Sequence, residues 1–500
     1  MPPKDHDELA MLAKQRELLA QLLEVRRKVL EEGEALYEKW QGRISPERQR
    51  FHYSARNLAY YLALRRNDLR DLQEGLRPLG LSSLGRLESQ VMPTLDAVSA
   101  TLALICNEKG AHIPQRPSIQ DFKLGARLLE EQTRTVLGKP PRQRSVRMMV
   151  TLPSEAASDP HIVRAMLDRG MDVARINCAH DDAEAWARMI ANLRAAEEKT
   201  GHACKVSMDL GGPKSRTANV IQPKKALLHK GDTLLLTYDL PVKSKLYPVQ
   251  AQCTLRPALD QAKVGQTVWF DDGKLGTIIR ARQSEGLLLE VTHARQNGYR
   301  LKDDKGVNFP NTDLKLSPLT DKDLQDLDFI AQHADMVNYS FVQDAADVRL
   351  IQEELAKRQP ARPVALILKV ETARALRNLP DMLIEAGGKQ PVGVMIARGD
   401  LAVEIGFERL AEIQEEIMWL CEAAHVPVIW ATQVLETLAK TGIPSRAEIT
   451  DAAMAERAEC VMLNKGDYIL MAMETLNSVL MRMQAHQSKK TQRLRALRSW

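Results

Sequence analysis

The sequence is poor in aromatic side chains. Phe, Trp and Tyr make up only 4% of 500 residues. That scarcity argues against base-stacking or sugar-stacking platforms, which need exposed rings. Cysteine is sparse and unpatterned. The six residues at 106, 178, 204, 253, 421 and 460 form no CxxC and no regular spacing. Free thiols in a reducing cytoplasm fit that scatter, whereas a disulfide framework or a zinc site does not. The opening stretch "MPPKDHDELAMLAKQRELL" has no apolar core of signal-peptide length. No window approaches an uncharged span of about 18 residues, so no membrane-crossing helix is expected. Charge of one sign is also lacking. A net charge of +5 is too diffuse over this length to imply nucleic acid.

What is present is an ordinary globular composition, 44% hydrophobic and 27% charged. The chain is too long for one small core. Residues 7–40 read as one long helix, with Leu12, Leu19, Leu22, Leu23, Val29, Leu30 and Leu36 near helical spacing. Ser45-Pro46 reads as an N-cap with Pro at the first helical position. A second helix is expected through about Leu76, a third over about 84–107 and a fourth over 118–137, closed by Gly138, Pro140 and Pro141. Residues 1–142 are therefore an all-helical module for packing or oligomerisation. At the other end, Lys489, Lys490, Arg493, Arg495 and Arg498 make residues 487–500 a basic tail. It reads as solvated, with electrostatic docking as the alternative.

From Ser145 the pattern changes. Apolar runs at 146–152, 172–177, 205–211, 334–341, 363–371, 392–399, 426–433 and 458–464 alternate with amphipathic helical stretches. Continuous apolar strands between helices mean a parallel sheet covered on both faces. Eight such units point to an α/β TIM (β/α)8 barrel over 143–217 and 305–486. An open doubly wound sheet is the alternative, weakened because no Gly-rich fingerprint follows the first strand. The interruption at 218–304 is β-rich and broken by Gly-Asp, Asp-Asp-Gly and Ser-Glu-Gly turns. It reads as a small β-barrel lid domain inserted after strand three.

In such a barrel, chemistry sits where the strands end. Those ends carry Arg175 and Asn177, Asp209 followed by Lys214 and Arg216, Lys369 and Glu371, Asp400, and Thr432 with Gln433. Lys369 and Glu371 are two apart on a strand and point the same way. Glu371 and Asp400 lie at one level on neighbouring strands. Two hard carboxylates suit Mg2+ or Mn2+ with positions left for substrate oxygens. In "VMIARGDLAVEIG", Gly399 and Asp400 open a short helix whose free N–H groups suit an anion. Arg398 reads as a solvent-side salt bridge. Cations around a divalent metal suit phosphoryl transfer, where charge is stabilised without covalent help. No Walker A motif is present.

The motifs "DVARINCAH", "MDLGGPKSRT", "VWFDDGKLG", "DKGVNFPN", "LSPLTDKDLQDLDF", "DMVNYSF", "ILKVE", "VMIARGDLAVEIG", "PVIWATQVLETL" and "PSRAEITDAA" resemble, in order and spacing, those of the pyruvate kinase family. The resemblance covers about 145–485. It implies phosphate transfer from phosphoenolpyruvate to ADP by a cytoplasmic homo-oligomer, with no nucleic-acid or membrane partner. By position, Lys369 would neutralise the phosphoryl group in flight, and Glu371 and Asp400 would hold Mg2+ or Mn2+. Thr432 would organise protonation, and Gly399 and Asp400 would receive the substrate carboxylate. Arg175 and Arg216 would contact phosphates, Asn177 and Asp209 would line the site, and Asp272 would face nucleotide from the lid.

The departures are informative. Family oxygen donors for potassium are replaced by Ala179 and Leu210, and a nearby Glu by Lys214. The resemblance therefore implies that K+ is not required, with the Lys214 ammonium standing in for it. The loop after strand eight runs from Asn464 straight into "KGDY", about four residues short of the family pattern. Gln343 replaces a usual Arg and Gly211 a usual Lys, and the strand-one motif reads "TLPSEA". The family's C-terminal regulatory domain is expected to be absent. Two other readings remain: a related metal-dependent enolate or phosphate barrel enzyme with an altered acceptor, and a non-catalytic regulatory paralogue.

Overall fold

The structure is a computed structural model and describes residues 4–489, 491 and 492. Eight parallel strands close a barrel: β1 (Arg147–Thr151), β2 (Val173–Asn177), β3 (Lys205–Asp209), β4 (Met336–Tyr339), β5 (Ala365–Val370), β6 (Val392–Ala397), β7 (Val428–Ala431) and β8 (Cys460–Leu463). Each pairs with the next, and β8 returns to β1 with Cys460 opposite Arg147. Most of their residues are buried, as a sheet covered by helices outside and filled by side chains inside requires. Gly170 and Gly201 take φ of 85° and 68°, the left-handed conformation that ends a helix at little steric cost.

The inserted segment forms a seven-stranded, mostly antiparallel sheet running from Thr217–Ile221 to Val307–Asn308. It has a core of its own, including Leu234, Leu236, Phe270, Ile279 and Leu289. Among the described residues, no helix is long and apolar enough to cross a membrane.

The N-terminal module contains α1 (Lys4–Gln41), α2 (Gln49–Leu64), α3 (Arg70–Leu76), α4 (Val91–Ile105) and α5 (Ile119–Leu137). Two expected helices are shorter than the periodicity predicts. The second breaks after Leu64, where Asn67 bonds back to the Ala63 carbonyl at 3.1 Å and Asp68 accepts the Arg70 N–H at 3.1 Å. Such local side-chain bonds compete with helix propagation. The third begins only at Val91, after 3-10 turns at Ser83–Arg86 and Glu88–Gln90. Ser45 makes no capping bond and is followed by a 3-10 turn, Pro46–Arg48.

The module packs on its own barrel. Phe51, Leu58 and Leu95 share one core with Ile384, Ile417 and Cys421 of the barrel helices. Val136 and Leu137, at the end of α5, join Met149, Val173, Met336, Ile367 and Met395 inside the barrel. This helix end is the barrel's floor. At the other end of the chain, Lys489 departs from the solvated-tail reading. Its side chain is 19% exposed and pairs with Glu459, beside a short hairpin of Gln487–Ser488 and Thr491–Gln492. Lys490, Arg493, Arg495 and Arg498 lie outside the described residues.

Candidate active site

The barrel topology brings the sequence-predicted charges to one rim. Arg175, on β2, grips Asp209 at the end of β3 with two bonds of 3.0 and 2.7 Å. Its third nitrogen donates to Thr151 Oγ1 at 2.8 Å. Lys369, on β5, lies with its Nζ 3.6 Å from Asp209 and 3.0 Å from Glu371 Oε1. It also donates to Ser340 Oγ at 2.6 Å. The other Glu371 oxygen accepts the Phe341 N–H at 2.6 Å. Asp400 begins the helix Arg398–Ile405 directly after β6. Its oxygens lie 3.0 and 3.2 Å from Lys214 Nζ, and Asn308 Nδ2 donates to one of them at 3.3 Å.

Asp209 and Glu371 are buried, and Arg175, Lys369 and Asp400 nearly so, so their charges act strongly on one another. Burial alone would push the Lys369 ammonium down, but Glu371 and Asp209 outweigh it and hold the pKa above the ordinary lysine value. Burial raises Glu371; Lys369 opposes that, and the charge on Asp400 adds to it. Asp400 moves the other way: burial raises it, and Lys214 more than compensates. One turn along the same helix, burial and the Asp400 charge push the Glu404 carboxyl up to about 7. Glu404, Lys214, Asn308, Phe341, Arg374 and Asp400 line a cavity of about 220 Å3 beside the cluster. Breaking a buried pair leaves an uncompensated charge and costs about 3–5 kcal/mol.

The backbone at the rim is strained as well. Thr432, Gln433 and Phe341 have φ of 64°, 57° and 56°. A β-branched Thr in the left-handed region is a steric outlier, costing on the order of 1–3 kcal/mol. Thr432 Oγ1 accepts the Gly399 N–H at 2.9 Å, so this N–H is engaged rather than free for an anion. Arg398 corrects its sequence reading. It is 11% exposed, pairs with Asp451, and donates to the Ala431 and Thr432 carbonyls at 2.9 and 2.6 Å. It also lies 4.7 Å over the Trp430 ring. It therefore clamps the strained turn after β7 to the helix that carries Asp400.

Three predicted residues stand apart from the central pairs. Arg216 pairs with Asp304 at 3.0 Å, at the lid hinge. Asn177 Oδ1 accepts the Ala179 N–H at 3.2 Å, within its own turn. Asp272 is on the lid. Burial and the Asp400 charge raise its pKa, while Gly273 beside it faces Val403 and Phe407 of the rim. Sequence reasoning missed Asn308, Ser340, Glu404 and Asn338, whose Nδ2 donates to Ser207 Oγ at 2.8 Å and also contacts Asp209. The signal for two of them was available, because Asn338 and Ser340 are polar interruptions in "DMVNYSF".

Glu371 and Asp400 are the oxygen donors suited to a divalent metal. Among the described residues, no three His, Cys, Asp or Glu side chains gather into a metal cage. An open two-carboxylate set is what Mg2+ uses when substrate oxygens and water complete its shell. The Glu371–Asp400 repulsion is also what a divalent cation would relieve, so the donor set fits.

A family model described as pyruvate kinase, barrel domain, matches residues 143–471. The chain belongs to the pyruvate kinase family. A pyruvate kinase of Geobacillus stearothermophilus is 32% identical over 347 residues, covering 68% of this chain and 57% of the relative. Pyruvate kinase 2 of Trypanosoma brucei brucei is 33% identical over 314 residues, covering 61% and 60%. Pyruvate kinase PKLR of Rattus norvegicus is 31% identical over 338 residues, covering 65% and 57%. The chain thus spans about three fifths of the length of the curated relatives it matches.

Proposed function

We propose that this chain transfers the phosphoryl group of phosphoenolpyruvate to ADP, giving pyruvate and ATP, with Mg2+ or Mn2+ and without K+. The observation that carries the reading is the Lys369 ammonium, held charged between Asp209 and Glu371 and beside Asp400. A fixed cation at this point stabilises charge on a phosphoryl group in transfer and needs no reorganisation during the reaction. Bound by Glu371 and Asp400, the divalent metal would supply Lewis-acid stabilisation of the substrate oxygens.

This chain's own residues do the rest. Arg175, braced by Asp209, orients a phosphate. Thr432 accepts from Gly399 in the present structure; its hydroxyl turns to the substrate when the Gly399 and Asp400 N–H groups receive the substrate carboxylate. Arg216 leaves Asp304 to meet nucleotide phosphate, opposite Asp272, and Asn177 lines the site. Lys214, already on Asp400, supplies the monovalent charge. Leu210 and Ala179 bring no side-chain oxygen for K+. The same proposal divides the chain into a helical module (1–142), barrel (143–217 and 305–486), lid (218–304) and tail (487–500), acting as a cytoplasmic homo-oligomer.

The test is pyruvate formation from phosphoenolpyruvate and ADP in Tris buffer, with Mg2+ or Mn2+. Turnover is expected without K+, changing less than about twofold when K+ is added. Strict K+ dependence would discard the role given to Lys214 while keeping the reaction. Absence of turnover with every common nucleotide would sink the assignment. The altered-acceptor reading would then lead, on one observation: the connection from β8 to the helix Ile469–Met483 is only Asn464 to Tyr468, tucked against the Ala439 carbonyl.

A further inference from the structure

The end of the barrel opposite the rim carries a second concave surface. A cleft of about 1580 Å3 lies where the strands begin, with Arg144, Asp172, Lys205 and Asp335 on its floor. One wall is the last turn of α5 and the linker that follows it. Eight Lys and Arg side chains line the cleft against five Asp and Glu, so the question is which cations are already committed.

The five carboxylates are committed, Asp168 to Arg164 outside the cleft at 3.8 Å. Asp172 pairs with Arg144 at 2.8 Å. Asp335 pairs with Arg362 at 2.8 Å and Lys205 at 3.1 Å. Glu197 holds Arg194, and Glu474 holds Arg169, each at 2.7 Å. Arg134, Lys139 and Arg142 pair with no carboxylate among the described residues. All three are exposed and fall within nine residues of chain, with Pro140 and Pro141 stiffening the segment between Lys139 and Arg142. A concave surface with uncompensated cations along one wall concentrates positive potential. Guanidinium and ammonium groups are the side chains that bind phosphate oxygens. No Phe, Tyr or Trp lines the cleft, and its one imidazole, His202, is turned to Asp172.

We propose that this cleft is a binding site for a small, multiply phosphorylated anion, held by Arg134, Lys139 and Arg142. The site is separate from the rim and is independent of the reaction proposed there. Its wall is continuous with Val136 and Leu137 of the barrel floor, so occupancy ties the linker to the barrel and raises the melting temperature.

The probe is inorganic tripolyphosphate, titrated calorimetrically into the full chain in EDTA, with NaCl of equal ionic strength as the control. One saturable site is expected. Lys139→Gln with Arg142→Gln should weaken it at least tenfold, while Lys369→Met leaves it unchanged. Arg134→Gln is a second, single-site variant, expected to weaken binding at least threefold should the double variant fail to fold. Three outcomes would overturn the proposal: no saturable binding beyond the NaCl control, unchanged affinity in the linker variants, or loss of binding in Lys369→Met. The last would put the anion at the rim.

Discussion

The two ends of one barrel use charge differently. At the C-terminal rim, buried Asp209 and Glu371, the nearly buried Arg175, Lys369 and Asp400, and the half-buried Lys214 form a series of charge pairs, beside left-handed Thr432 and Phe341. Each of those features costs stability on its own. At the other end, α5 inserts Val136 and Leu137 among apolar strand residues, the charges form closed pairs, Arg144 with Asp172 and Asp335 with Arg362 and Lys205, and His425, between the helical module and the barrel, is fully buried and held neutral. The contrast teaches that the floor and the helical module supply the rigidity against which the rim holds its unfavourable charges. Substitutions at the two ends should therefore fail in different ways.

The largest effect is expected at the rim. Lys369→Met removes the one ammonium shared by Asp209 and Glu371, and kcat should fall roughly a thousandfold, the scale of a lost transition-state donor. At the floor, Leu137→Ala should lower unfolding free energy by about 2–5 kcal/mol while kcat/KM stays within about threefold. Denaturant melts and steady-state rates on both variants check the pair. If Leu137→Ala cut turnover as deeply as Lys369→Met, the division between the two ends would be wrong.

The same contrast explains what was legible in the sequence. A strand covered on both faces has to be a continuous apolar run, so all eight barrel strands could be read. A charge tolerated only at the end of such a run points to the rim, so Lys369, Glu371 and Asp400 could be read too. The floor could not. Asn57 donates to the Glu88 carbonyl at 2.7 Å and to the Ala423 carbonyl at 2.9 Å. The second contact joins residues more than 300 apart, and no local pattern announces it. The pairing of Arg216 with Asp304 across the base of the lid has no local signal either. Ser340 and Asn338 sit in a quoted motif, yet their roles emerge only when β3, β4 and β5 lie side by side.

His425 offers a pH test of the module–barrel interface. Its Nε2–H donates to the Ser89 carbonyl and its Nδ1 accepts from Ser54 Oγ, both at 2.9 Å, and the ring stacks on Tyr53. Burial lowers its pKa to about 4, against about 6.5 in the unfolded chain. The unfolded state therefore binds the extra proton first. The stability that depends on a neutral His425 is complete above about pH 6.5 and drains away as pH falls toward 4, by on the order of 3 kcal/mol. His425→Gln should flatten that part of the stability–pH curve, measured by urea unfolding between pH 4 and 7. A curve unchanged in the variant would mean that His425 does not govern it.

The smallest effect tests a signal that the sequence displayed and the structure does not use. Ser45-Pro46 looks like a helix start, and loss of a working cap costs about 1 kcal/mol. Here the Ser45 side chain caps nothing, and what anchors the segment to the barrel is its backbone, with the Ser45 N–H donating to the Gly388 carbonyl at 2.8 Å. Ser45→Ala should therefore move stability by less than about 0.5 kcal/mol. Ser45→Pro keeps a compatible φ, since Ser45 already stands at −61°, but deletes the N–H. That variant should lose roughly 1 kcal/mol, the net value of one hydrogen bond with its acceptor left behind. Chemical denaturation of the two variants separates the explanations: a larger loss in the alanine than in the proline would restore the cap and remove the backbone anchor.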